Sequence, residues 1–144
     1  MPDDPRITVT EIAGRRRASS GARFEPAVGY SRAVRSGPFI TVSGTVGLNA
    51  DGSYPATIGE QARRALAIIR AAIEALGGRM EDVLRTRMFV TDIAAFDEVG
   101  RAHGEVFRDI RPATSMVEVS KLVDGALVEI EADAIVSDYQ LEFP

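Results

Sequence analysis

The chain has 144 residues, 45% hydrophobic and 26% charged, with a formal net charge of −4. This is the composition of one soluble domain able to bury its own core, and its mild acidity supplies no field that would gather nucleic acid or an anionic membrane. Zero cysteines exclude disulfides, a thiolate nucleophile, zinc–thiolate sites and iron–sulfur clusters, and a single histidine narrows the catalytic options further.

Residues 1–25 mix Pro, Gly and Ser with the run Arg15-Arg16-Arg17. They read as an N-terminal arm, with one short strand near Ile7 to Ile12, ahead of a single domain over residues 26–144. From Ala27 to Val46 two partly alternating apolar runs, AVGYSRAV and FITVSGTV, flank Arg35-Ser36-Gly37-Pro38 and predict a hairpin. The turn-rich LNADGSYP then leads into a helix. Thr57 and Glu60 form a capping box, Ala62, Leu66, Ile69, Ile73 and Leu76 recur at helical spacing, and Gly77-Gly78 ends the run.

A strand follows over Val83 to Thr91. Alternation puts Leu84, Thr86, Met88 and Val90 on one face and Val83, Arg85, Arg87 and Phe89 on the other. A second helix is expected from about Ala95 to Arg108, with Phe96, Val99, His103 and Phe107 on its apolar stripe. Strands over Thr114–Ser120 and Leu127–Val136 close the chain, and Val128, Ile130, Ala132, Ala134 and Val136 of the last suit a helix-covered face. The order ββ-α-β-α-ββ predicts an α+β fold, a mixed sheet with two helices on one face.

The opposite face would then carry Arg85, Arg87, Thr114, Met116, Glu118, Glu129, Glu131 and Asp133 together with Val83, Phe89, Leu127 and Ile135. A half-apolar face of this kind is expected to cover itself by self-association, which would desolvate Arg85 or Arg87 enough to pair with carboxylates or hold an anionic ligand.

Four segments in order, VGYSRAV…ITVSGTVGLN, GEQARRAL, RTRMFVTD and IRPATSMVEV…VEIEADAIV, resemble the Rid family of reactive-intermediate deaminases, also called YjgF, over roughly Ala27 to Val136. The resemblance implies a chorismate-mutase-like α+β subunit and a homotrimer with its sheets inward around a central barrel and ligand clefts between subunits. It also implies hydrolysis of 2-imino acids to 2-keto acids and ammonia without cofactor or metal. By motif, Tyr30 matches the family's cleft tyrosine, Ser43-Gly44 its serine-glycine pair, and Glu129 the glutamate that positions the attacking water. One departure is chemical. Deaminating members carry a carboxylate-gripping arginine where this chain has Thr114; Met116 stands in the usual cysteine position and Gly100 in that of an asparagine on the second helix.

Imine hydrolysis needs an electrophilic C=N, a positioned water and a base, and a partly desolvated Glu129 suits the last role. A threonine offers one uncharged hydroxyl and no bidentate grip, so Thr114 does not replace a guanidinium. Either Arg85, Arg87 or Arg111 compensates, or the ligand is not a carboxylate. The expected pocket thus comprises Glu129 as base with Tyr30, Ser43, Gly44, Thr114, Met116 and Arg87 around the ligand. His103, on an apolar stripe, gives neither Ser43 nor Ser115 a triad partner, and Gly44 and Gly47 lack the context of a phosphate loop. No cofactor or metal is expected, no apolar run spans a bilayer, and the start of the chain lacks a secretory pattern, so the expected compartment is the cytoplasm. The expected activity is imine or enamine hydrolysis. The alternative is a non-catalytic small-molecule sensor or chaperone-like trimer, and nuclease action is disfavoured by the acidic charge balance.

Overall fold

A computed structural model describes residues 4–137. The first three residues of the expected arm and residues 138–144 of the expected domain lie outside the described residues. Within them, strands β1 (Thr8–Ile12), β2 (Arg15–Ser19), β3 (Ala33–Ser36), β4 (Phe39–Val46), β5 (Val83–Val90), β6 (Ala113–Glu118) and β7 (Val128–Ile135) form one sheet in the order β1-β2-β3-β4-β7-β5-β6. Only β5 and β6 run parallel, and helix α3 (Phe96–Phe107) makes the crossover between them. With helices α1 (Phe24–Val28) and α2 (Ile58–Ala75) this is the α+β mixed sheet the sequence predicts.

Helix α2 starts at the predicted capping box: the Glu60 amide donates to Thr57 Oγ1 at 3.2 Å and the Thr57 amide to Glu60 Oε2 at 3.3 Å. Its buried stripe is wider than the predicted one, adding Ala65, Ile68 and Ala72 to Ala62, Leu66, Ile69 and Ile73. All of these but Ile68 meet Ile40 and Val42 of β4, Met88 and Val90 of β5, and Val128, Ile130, Ala132 and Ala134 of β7 in one core, which Val99, Ala102 and Phe107 of α3 complete. At the C-terminal end of α2, Arg16 and Arg35 both donate to the Leu76 carbonyl, at 3.2 and 2.7 Å, two cations at the negative end of the helix dipole.

The first 25 residues hold two strands rather than one. β1 and β2 join at Ala13-Gly14, both with positive φ, and β2 pairs with β3. β2 was not visible in the sequence because RRRAS has no apolar alternation; a single residue, Ala18, is fully buried and ties it to the core. Ala27 and Val28, predicted as strand, lie instead in α1, which Gly29 ends at φ 90°. The Glu25 carboxylate holds this short helix by accepting from the Ser20 hydroxyl at 2.6 Å and from the Ser20 and Ala22 amides. Tyr30 therefore sits in a turn, not on a strand.

Two further corrections concern which face a residue occupies. A bulge places both Leu84 and Arg85 opposite Asp133, so Val83 turns into the core and Leu84, predicted inward, is 55% exposed. In β6 the predicted phase is reversed. Thr114 lies opposite Thr86 and Met116 opposite buried Met88, so Thr114, Met116 and Glu118 share the helix side while Ala113, Ser115 and Val117 share the open face. The segment ATSMVE carries polar and apolar residues on both faces, so alternation gave no cue to its phase. Leu127 precedes β7 and packs against the core rather than on the open face.

Gly47, just past β4, approaches the backbone of α2 so closely that a Cβ there would fall 2.2 Å from the Gln61 carbonyl oxygen. The buried Gln61 side chain donates to the Pro55 carbonyl at 3.0 Å and accepts from the Leu127 amide at 2.9 Å. The end of β4, the 48–55 loop and the start of β7 are thereby fixed to the first turn of α2, and Glu129 lies two residues beyond Leu127.

Candidate functional site

Glu129 points to the open face of β7, between buried Val128 and Ile130. Opposite it, β4 carries a bulge: between the pairs Val42–Ala132 and Thr45–Ile130 lie Ser43 and Gly44 on one strand and Glu131 alone on the other. The bulge brings Gly44 against the glutamate. A Cβ at Gly44 would lie 2.8 Å from Glu129 Cδ and about as close to both carboxylate oxygens. Only glycine leaves room for this carboxylate.

Behind the bulge lies a buried polar cluster that sequence reasoning missed. The Arg32 guanidinium donates to the Gly44 carbonyl at 2.8 Å, to Thr45 Oγ1 at 3.1 Å and to the Tyr30 hydroxyl at 3.2 Å, and its Nε lies 3.7 Å from Glu25 Oε2. Arg32, Glu25 and Thr45 are all at most 5% exposed. Ser43 Oγ donates to the Ser31 carbonyl at 2.6 Å. In the sequence, Arg32 is one of many arginines, and only the bulge shows that it is the one turned inward.

Half-burial pushes the Glu129 carboxyl above its ordinary pKa; the neighbouring Glu131 charge adds to the effect and Arg32 opposes it. Among the described residues no hydrogen-bond donor engages this carboxylate. Tyr54, from the 48–55 loop, is raised by its own burial and then by Asp124 and Glu129, with Arg23 opposing. The Arg23–Asp124 ion pair, 3.1 Å, stands on the same side. Replacing Gly44 by alanine should leave the fold intact, because the atoms it meets are the mobile end of a side chain. It should turn the Glu129 carboxylate toward solvent and lower its pKa, as read by carboxyl NMR titration; an unchanged titration would contradict the close fit.

The other predicted residues lie elsewhere. Arg87 is on the open face but bound to carboxylates of its own sheet, 3.2 Å from Glu131 and 3.6 Å from Asp133, while Thr41 donates to Asp133 at 2.7 Å. Thr114 and Met116 are on the opposite side of the sheet from Glu129, on edge strand β6. There Thr114 Oγ1 lies 2.6 Å from Thr86 Oγ1, which lies 2.8 Å from His103 Nε2. His103, whose pKa burial lowers, shares a shallow cleft with Gly104, Phe107, Arg108, Arg111 and Pro112. Among the described residues, no cluster of three or more His, Asp or Glu side chains is placed to hold a metal ion, and no helix is long and apolar enough to cross a membrane.

One chain thus sets Gly44 against Glu129, holds Tyr30 and Ser43 through Arg32 and the Ser31 carbonyl, and leaves Thr114 and Met116 on the other side of the sheet. A family model described as Endoribonuclease L-PSP, that of the YjgF/Rid proteins, matches residues 20–136. The chain belongs to the Rid family. Its fold matches the crystal structure of a YjgF-family member from Mycobacterium tuberculosis, with a TM-score of 0.79 and 50% identity, over 85% of this chain and 99% of that one. A curated 2-iminobutanoate/2-iminopropanoate deaminase of Escherichia coli is 35% identical over 110 residues, 74% of this chain and 86% of the enzyme. The crystal structure of Escherichia coli TdcF with bound serine matches with a TM-score of 0.71 and 28% identity, over 75% of this chain and 88% of that one. In this Rid chain the carboxylate of Glu129 and the hydroxyl of Thr114 do not meet within a single subunit.

Proposed function

We propose that this Rid chain hydrolyses a small imine, or its enamine tautomer, to the carbonyl compound and ammonia in the cytoplasm, in clefts completed by assembly into a homotrimer. The observation that carries this reading is the half-buried Glu129 carboxylate, fitted against Gly44 with its pKa raised and no donor among the described residues engaging it. Such a carboxylate accepts a proton from water while that water's oxygen attacks the C=N carbon. The resulting carbinolamine breaks its C–N bond as the nitrogen takes up a proton, and ammonia leaves. Tyr30 and the Ser43-Gly44 bulge form one wall, and Thr114 and Met116 of an adjoining copy supply the other. Curated deaminase relatives and the serine held by TdcF support a ligand of amino-acid size.

The open face favours assembly. It exposes Phe39, Val117 and Ile135 beside the charge network of Arg87, Glu131 and Asp133, a mixed surface that a second copy can cover. The same pairing disfavours a nuclease on this face, because the Arg87 guanidinium is already bound to two carboxylates rather than free for a phosphate backbone.

Imines generated in situ by chlorination and elimination of amino acids and their amides, with semicarbazide as competing trap, test the activity. The chain should accelerate imine loss, and the rate should fall as acid titrates Glu129, with an apparent pKa above the ordinary glutamate value of about 4.3. The sign follows from the chemistry, since only the ionised carboxylate takes a proton from water. An inert protein whose melting temperature nonetheless rises with a small metabolite would favour the sensor alternative, and sedimentation as a monomer would remove the shared cleft.

A further inference from the structure

The hydrogen-bonded row His103–Thr86–Thr114 joins three elements, α3, β5 and β6, through a threonine that is fully buried. Thr86 has one hydroxyl hydrogen, so it donates to one neighbour and accepts from the other, and the sense chosen at one end of the row dictates the other. Burial keeps His103 neutral near pH 7, with a single N–H to place. A neutral imidazole intrinsically prefers its hydrogen on Nε2, and the cleft lining of Gly104, Phe107, Arg108, Arg111 and Pro112 holds no carboxylate to draw it to Nδ1. The hydrogen then sits on Nε2 and donates to Thr86, and Thr86 donates to Thr114. The Thr114 hydrogen is left free on an exposed edge strand.

We propose that His103, acting through Thr86, fixes Thr114 as a neutral hydrogen-bond donor, so that the site prefers an imine anchored by an uncharged carbonyl or amide oxygen over one anchored by a carboxylate. This rests on the placement of Thr114 in the cleft argued above and names the substrate class of that cleft. A single uncharged donor satisfies a carbonyl oxygen but leaves the charge of a carboxylate uncompensated once water is expelled. His103 and Thr86 are positioning residues here; Thr114 alone touches the ligand.

The chain's one histidine gives an unambiguous imidazole NMR signal. Titrating the full chain with pyruvamide and, separately, with pyruvate compares a neutral and an anionic product analogue of the same size. Pyruvamide should shift the His103 signal and bind at least about tenfold more tightly than pyruvate. Thr86→Val should weaken pyruvamide about fivefold to tenfold, the loss expected for one neutral hydrogen bond, and Thr86→Ser should restore it. Thr114→Val, on an exposed strand that tolerates it, should show the same loss, and Thr114→Arg should shift the preference to pyruvate. Equal or tighter binding of pyruvate by the unmodified chain, or undiminished pyruvamide binding by Thr114→Val, overturns the proposal. A pyruvamide preference without imine turnover overturns the catalytic reading and leaves this one standing.

Discussion

Glu129→Gln should reduce imine hydrolysis by about 10²- to 10⁴-fold, the usual contribution of a positioned base, and should raise the melting temperature at pH 7 to 8. The second half follows from the first group's environment. A carboxyl whose pKa is higher in the folded than in the unfolded chain contributes its full stability below the unfolded value and loses it as pH rises through the folded value. At neutral pH the ionised Glu129 therefore weighs against folding, by burial first and by Glu131 second, and glutamine removes that burden while keeping the shape. The gain should vanish below the unfolded pKa of about 4.3, where wild type is protonated as well. Calorimetry across pH, paired with the trapping assay, checks both halves. A variant that loses activity and stability together would show that Glu129 holds the fold rather than performs the chemistry.

The largest loss of stability is expected at Gly47. A methyl group there would lie 2.2 Å from the Gln61 carbonyl oxygen and 2.8 Å from two further backbone atoms of that residue, so α2 itself would have to move. Gly47→Ala should cost about 3 kcal/mol or more, a drop of roughly 6–12 °C in melting temperature for a chain of this length. Gly100→Ala is the natural control. Its Cβ would meet nothing within 4 Å, and it lies within α3, so alanine there should stabilise by about 0.5–1 kcal/mol. Thermal melts of the two variants side by side separate close packing from mere helix propensity.

Much of this fold was legible because α2 and β7 obey simple periodicities. The capping box at Thr57 and Glu60 and the alternation from Val128 to Ala134 are local signals, and the structure keeps both. What could not be read depends on partners distant in the chain. Leu84 and Val83 exchange faces because of a bulge opposite Asp133, and β6 takes its phase from Thr86 rather than from its own composition. The candidate site divides in the same way. Glu129, Gly44 and Tyr30 were singled out by motif; the structure sets Gly44 against Glu129 and ties the Tyr30 hydroxyl to Arg32 behind the bulge. Arg32, Glu25 and Thr45, which brace the bulge, were not, because a buried ion pair leaves no periodic mark in sequence. Arg87 carried the right charge, but Glu131 and Asp133 occupy it.

The doubled step at Ser43 and Gly44 also limits how this strand can change. Val42 and Thr45 both turn inward although three positions separate them, so a deletion of either intervening residue would restore strict alternation with both still inward, and would remove the extra residue that sets Gly44 against Glu129. Loss of one residue here would spare the core yet undo the close fit, so the Glu129 carboxylate is kept in line by a spacing as much as by a residue type.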